Sequence, residues 1–404
     1  MPSLSSITPL RTEPHAGPND IGVSLLPSDN KDGTFKSYPL VISPKTESQK
    51  SLAFLSSFMN HNKDWIDDMM LRYGALLFRG FHVVTAKDVE DAVMSYEHNL
   101  NNQYRGTSPR HTQGNTEFVF SAAEVPSHYP IAQHIEMSFL PEPPKKLFFS
   151  ALKAPAAVGG ETALADFRKV YNAIPKDLRD KLQEKKLRYT RTHKKVGDRF
   201  THDVAAMLSW SELFRTNDKK QVEKMAAQEN MPMRWEGDDT FVSEFETEAF
   251  QRHPQTGEAV WFNHAQVFHW TSFPAELFAA FRRTKDLRYL MRALLLGVLS
   301  WIKYGPILRQ QMALHVAFGD GMPLSIWEMH QIRKAVHENT IYNRWQQGDV
   351  VMIDNFSTSH GRQPTYDKGR NIVVAWSDPL AKKDAMARAL DKQRNDQCIG
   401  SHET

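Results

Sequence analysis

Apolar positions follow two spacings along the chain. "SLAFLSSFMNHNKDWIDDMMLRYG" (51–74) repeats every three to four residues and predicts a helix ending at Gly74. "TAKDVEDAVMSYEHNL" (85–100) predicts a second helix, opened by a Thr85 cap. Between them "ALLFRGF" (75–81) is the apolar run of a buried strand, and "YPLVISP" (38–44) reads as a short strand closed by Pro44. From 117 onward the texture changes. "EFVFSA", "IAQHIEMSF", "KLFFSAL", "TALADF", "LRYTRTH", "AVWFN", "VVMIDNF" and "NIVVAWS" are short, rich in β-branched and aromatic residues, and separated by turn signals. Helical patterns intervene at 168–185, at 274–303 and in "PLSIWEMHQIRKAVHENTIYNRW". No internal repeat or low-complexity segment interrupts this order. The pattern predicts a mainly β protein with peripheral helices, a sandwich or jelly roll carrying a long helical insertion at about 274–345.

The ends differ from the middle. Residues 1–36 are polar and rich in Pro, Ser, Asn and Asp, which predicts an arm; 379–404 reads as a charged tail. Residues 37–378 are expected to form one domain. With 50 basic and 47 acidic residues the formal charge is only +3, so no bulk field favours nucleic acid. The single cysteine, Cys398, excludes a disulfide framework and a cysteine-based zinc cage, and reads as a spare thiol. "MPSLSSITPLRTEPHAG" has no basic start followed by an apolar run, so a secretory signal is not expected and the cytoplasm is the expected location. The most apolar stretch, "ALLLGVLSWI" (293–302), is too short to span a bilayer. It reads as a buried or lid helix, with a membrane-surface or dimer-contact helix as the alternative, and homo-oligomerisation stays open.

Candidate chemistry centres on "QHIEMSF" (133–139). In a strand, residues two apart share a face, so His134 and Glu136 would point the same way. Two histidines and one carboxylate leave three adjacent metal positions open, the arrangement suited to Fe(II) and oxygen. The natural third ligand is His360 in "QQGDVVMIDNFSTSHGRQPTYDKGRNIVVAWS". Ten residues further, Arg370 opens an apolar strand and could grip a carboxylate beside the metal in a bidentate fork. Gly159 and Gly160 permit a tight turn before Thr162, whose hydroxyl could bond the same carboxylate.

In this order the segments resemble the taurine dioxygenase-like, clavaminate synthase-like branch of the Fe(II)/2-oxoglutarate-dependent oxygenases. "GALLFRGF", "HIEM", "KLFFSALKAPAAVGGETALAD", "FGDGMPL" and "WQQGDVVMIDNFSTSHGRQP" look like its successive blocks, from about Tyr38 to Ser377. The resemblance implies a double-stranded β-helix core, with Fe(II), 2-oxoglutarate and O2 as cofactor and co-substrates. By position, His134, Glu136 and His360 would ligate iron, and Thr162 and Arg370 would hold the distal carboxylate of 2-oxoglutarate. It also implies oxidation of a C–H bond of a small molecule, an amino acid or a metabolite derived from one, by hydroxylation, desaturation or oxidative cyclisation. Asn371 follows Arg370, and Val374 stands where relatives often carry a second arginine, so no substrate-anion contact carries over there. A catalytically silent jelly-roll binding protein leaves the intact triad unexplained. A zinc hydrolase on the same ligands leaves Thr162 and Arg370 unexplained.

Other residues are weighed against plainer roles. Asn263 and Arg110 are candidate substrate contacts, the latter in "YRGTSPR" (104–110). His264 and His269 read as satisfied core or loop histidines, with the mouth of the site as the alternative. Asp354 and Asn355 are expected to brace the strand before His360. His193 and His202 are expected in solvent, and Trp301 and Trp327 in the core.

Overall fold

The computed structural model describes residues 18, 21–26 and 38–378, apart from 103, 105, 107–109, 123–124, 141, 157, 196–207, 238 and 311. Two sheets face each other. The larger runs, in spatial order, Gly22–Leu25, Leu40–Ser43, Ala75–Phe78, Val350–Asp354, Lys146–Lys153, Asn371–Trp376 and Phe120–Ser121. The smaller runs Thr340–Asn343, Thr162–Asp166, Thr358–Arg362 and Ile131–His134.

Alternation along the strands explains the layering. Leu147, Phe149, Val351, Ile353, Ile372 and Val374 of the larger sheet turn inward onto Leu164 and Ile341 of the smaller one. The intervening Phe148, Val350, Met352 and Val373 turn outward onto Leu55, Phe58, Met70 and Val89 of the first three helices. A sheet covered on both faces needs nearly continuous apolar strands, which is why "VVMID" reads as an unbroken run. This is the jelly-roll core that the strand pattern predicts. A third sheet, ordered Leu314–Phe318, Leu187–His193, Thr240–Thr247, Met233–Glu236, extends the molecule. Among the described residues no helix is long and apolar enough to cross a membrane.

Several expectations need correction. The helix foreseen over 51–74 is two, Leu52–His61 and Lys63–Tyr73. Asn62 divides them by turning its side-chain amide back to the Phe58 carbonyl at 2.9 Å, in competition with the helical ladder. Pro175 divides the 168–185 pattern into Phe167–Ala173 and Lys176–Lys185. The segment expected as an arm contributes a strand, because Gly22–Leu25 pairs with Leu40–Ser43. The helical insertion contains the strands Leu314–Phe318 and Thr340–Asn343. Trp301 and Trp327 are 48% and 66% exposed rather than core residues. The 379–404 tail, with Cys398, and His202 lie outside the described residues.

His193, expected in solvent, is fully buried, and only its Nδ1 has a partner, the Leu208 carbonyl at 2.8 Å. Burial, then the nearby Arg191 cation, pushes its pKa down to about 3. An imidazole that stays neutral in the fold but takes a proton when unfolded stabilises fully above the unfolded value near 6.5. That contribution is lost as pH falls toward about 3. By roughly pH 4.5 the loss is on the order of 3 kcal/mol. Thermal melting followed between pH 7 and 4.5 should show the midpoint falling. His193→Phe should flatten that fall, and a parallel decline in both proteins would assign it to other groups.

Candidate active site

The smaller sheet brings the separated segments together. His360 and His134 are direct cross-strand partners in its ladder, and their rings lie 4.3 Å apart. Gly361 makes the approach possible: a Cβ there would fall 2.7 Å from the Ile131 carbonyl oxygen. The strand carrying His360 is polar, "TSHGR", yet fully buried, and its two hydroxyls are satisfied from within, whereas His360 Nδ1 has no hydrogen-bond partner. Tyr38 donates its hydroxyl to Thr358 Oγ1 at 2.8 Å, and Ser359 donates to Gln133 Oε1 at 2.8 Å.

Glu136 is not on the strand. The strand ends at His134, and Glu136 begins a turn in which Met137 takes a positive φ of 53°. Asn355 fixes that turn. Its Oδ1 accepts from Glu136 N at 2.9 Å, and its Nδ2 donates to the Glu136 and Pro144 carbonyls at 3.0 and 2.8 Å. The carboxylate still reaches the histidines, with Oε2 3.4 Å from His360 Nε2 and 3.9 Å from His134 Nε2. One ligand atom from each of the three lies within 4.8 Å of the others.

The donor set fits a divalent metal. His134 Nδ1 faces the Ala132 carbonyl at 2.9 Å, so Nδ1 carries the proton and Nε2 presents a lone pair inward. Burial, then the neighbouring His134, pushes His360 down to about 4, which keeps its ring neutral. Burial pushes the Glu136 carboxyl up, but Arg110 and the two imidazoles outweigh it and hold the group well below its usual range. Two imidazoles and an ionised carboxylate around one point are a metal-binding set.

Arg370 and Thr162 line the same cavity. Arg370 Nε donates to the Gly160 carbonyl at 2.7 Å. Among the described residues no carboxylate lies within ion-pairing distance of its guanidinium. Burial, reinforced by the nearby Arg362, pushes its pKa down to about 9. Gly160, at φ 74°, leaves room for it, since a Cβ there would sit 2.9 Å from Arg370 Cδ. Thr162 Oγ1 accepts from Trp345 Nε1 at 3.2 Å.

The remaining candidates separate. Arg110 lines the cavity and donates through Nη2 to Glu136 Oε2 at 3.0 Å. Asn263, expected against substrate, turns away: its amide donates to Ala249 O and accepts from Ala265 N, and it is not part of the cavity wall. His264 lines the cavity with its ring 4.7 Å from that of His134 and its Nδ1 3.0 Å from Ser138 Oγ. His269 is a buried structural residue between Thr271 Oγ1 and Leu324 O. Asp354 takes His253 Nε2 at 2.8 Å and Ser357 Oγ at 2.6 Å, bracing the turn before His360. Sequence reasoning missed two residues. Tyr104, in the same stretch as Arg110, donates to Glu136 Oε1 at 3.2 Å. Glu276 is a second buried carboxylate in the cavity wall, 3.1 Å from His337 Nε2, and no local signal set it apart from surface acids.

Comparison with known proteins agrees with this geometry. The family model for "Taurine catabolism dioxygenase TauD, TfdA family" matches residues 42–376. The chain therefore belongs to the TauD/TfdA dioxygenase family, and its buried His-Glu-His set is that of an enzyme using iron and 2-oxoglutarate. Among its relatives, the dapdiamide synthesis protein DdaC of Enterobacter agglomerans is 29% identical over 81% of this chain and 88% of its own length. A clavaminate synthase-like protein of Arabidopsis thaliana is 28% identical over 84% of this chain and 93% of its own. Among solved structures, PvcB of Pseudomonas aeruginosa shares the fold at a TM-score of 0.51 and 11% identity, covering 92% of this chain and 96% of that one.

Asn355 acts through Glu136, so its loss should loosen the site without removing a ligand. Asn355→Ala should weaken metal binding about 10- to 100-fold, as loss of an outer partner generally does. Titration with Fe(II) or Co(II) under argon measures this, and unchanged affinity would show that the turn holds itself.

Proposed function

We propose that the protein oxidises a C–H bond of a small, largely apolar molecule, an amino acid or a metabolite derived from one. His134, Glu136 and His360 would hold the iron, and Arg370 and Thr162 the distal carboxylate of 2-oxoglutarate. The observation that carries the reading is the joint presence, in one cavity, of the three convergent ligands and a buried guanidinium with no carboxylate of its own. A dicarboxylic keto-acid has the charge that Arg370 lacks a partner for, and Thr162 can add a hydrogen bond on the same side.

When bound, iron with 2-oxoglutarate and O2 supplies the oxidising power for an unactivated C–H bond, and the keto-acid leaves as succinate and CO2. The chain's own residues do the positioning. Arg110 and Tyr104 hold one oxygen each of the Glu136 carboxylate, which fixes its rotation and keeps it ionised. Ala132 O sets the His134 tautomer. Val125, Ile131, Val267, Phe273, Leu296 and Leu314 form an apolar wall that excludes water and favours a hydrocarbon frame. Glu276, the cavity's second carboxylate, can share its charge between His337 and a substrate ammonium group, which supports an amino-acid-like substrate.

The test is to screen free amino acids and related small acids for substrate-stimulated succinate release with Fe(II) and 2-oxoglutarate. One or more should raise the release well above the substrate-free rate. If none does and anaerobic Fe(II) with 2-oxoglutarate gives no visible charge-transfer band, the reading fails at the cofactor rather than at the substrate.

A further inference from the structure

The helix Leu287–Lys303 has two unlike faces. On one, Tyr289 and Ala293 pack against Leu277 and Ala280 of the preceding helix, Ser272–Thr284, and Leu296, Ser300 and Tyr304 reach the cavity. On the other, Leu287, Met291, Leu294, Leu295, Val298 and Leu299 are 51–64% exposed. Their spacing follows the helical period, so they form one stripe, which Trp301 and Ile302 continue. Ile307 and Leu308 just beyond are exposed as well. Scattered apolar residues are ordinary on a surface, but a continuous stripe marks a contact. Of the two expectations, a buried or a lid helix, burial is corrected: this is a cavity wall with a bare outer face.

Charge identifies what covers it. Between residues 282 and 310 the chain carries seven Lys or Arg residues and one acid, Asp286, whereas the whole protein is nearly balanced. Cations stand at both ends of the stripe, Arg282 and Lys285 before its start and Lys303 and Arg309 after it, whereas Arg283 is paired with buried Glu161 and Arg288 with Asp286. A second copy seated on this face would bring two such cationic stretches together with almost no acid between them. A protein interface would also be expected to offer hydrogen-bonding and aromatic groups at its centre, and this stripe is aliphatic. An aliphatic face with basic borders and a tryptophan near one end is instead complementary to acyl chains beneath anionic headgroups.

We propose that the outer face of Leu287–Lys303 seats on an anionic phospholipid surface, with the helix lying in the plane of the interface. Because Leu296 and Ser300 belong to the same helix and Tyr304 caps it, docking places one wall of the cavity at the membrane. The proposal concerns the outer face and does not depend on the reaction assigned to the cavity.

Sedimentation of the full chain with phosphatidylcholine vesicles containing about one third phosphatidylserine, and with phosphatidylcholine alone, tests it. The protein should pellet with the anionic vesicles and roughly tenfold less with the neutral ones, and raised salt should release it. Leu294→Asp with Val298→Asp should reduce pelleting about tenfold or more, with melting temperature and iron-dependent succinate release unchanged. Arg282→Gln with Lys285→Gln should narrow the preference for anionic lipid. Equal pelleting with both vesicles, or none with either, overturns the proposal. So does light scattering that shows a dimer which Leu294→Asp with Val298→Asp converts to monomer.

Discussion

Replacing His360 with alanine should abolish iron-dependent succinate release. The loss should exceed the roughly 10- to 100-fold expected when an outer partner of a metal ligand is removed. The reason is geometric. His360 supplies one of three ligand atoms that meet within 4.8 Å, and the described residues offer no comparable metal-binding cluster to replace it. The backbone ladder to the His134 strand does not depend on the imidazole, so circular dichroism should stay close to that of the parent. Metal content after reconstitution, O2 uptake and succinate should fall together. Retained turnover would remove His360 from the iron site, and with it the reading of the whole cavity.

The second large effect is expected at Arg370. Arg370→Ala should raise the 2-oxoglutarate requirement about 10- to 100-fold, the equivalent of one or two charge-assisted hydrogen bonds, with a smaller change in turnover at saturation. Arg370→Lys should recover part of the loss, because a single ammonium keeps the charge without the fork. Gly160→Ala offers an independent approach to the same point, since the added methyl would press on Arg370 Cδ. An unchanged requirement in Arg370→Ala would transfer the role to Arg362, another buried guanidinium in the cavity wall, which now donates to the carbonyls of Val125, Pro126 and Tyr129.

The parts of this fold that were legible in the sequence are those where one physical signal acts locally. Buried strands such as Ala75–Phe78 and Val350–Asp354 announce themselves as apolar runs, and Thr85 marks a helix start by its capping chemistry. Strand Thr358–Arg362 was not legible, because the partners of its Thr358 and Ser359 hydroxyls are as distant as Tyr38 and Gln133. Glu136 was placed on a strand with His134. The backbone leaves the strand first, and a side chain more than two hundred residues away, Asn355, makes up the difference. His193 was read as solvated because nothing near it in sequence shows the sheet that covers it. The convergence of His134, Glu136 and His360 could be read ahead of the structure because their spacing and order form a pattern. Glu276 and Tyr104 could not, since each matters only through a neighbour brought in by the fold.

The pairing of His134 with His360 has one further consequence. The two strands meet at the end of the smaller sheet and come from opposite ends of the domain. An ion gripped by both would act as a clasp across that seam, fastening the early part of the chain to the late part. Because an ion that favours the closed seam stabilises it by mass action, the metal-loaded protein should resist opening there more than the metal-free one. The rate at which a chelator strips the ion would then report how often the seam comes apart.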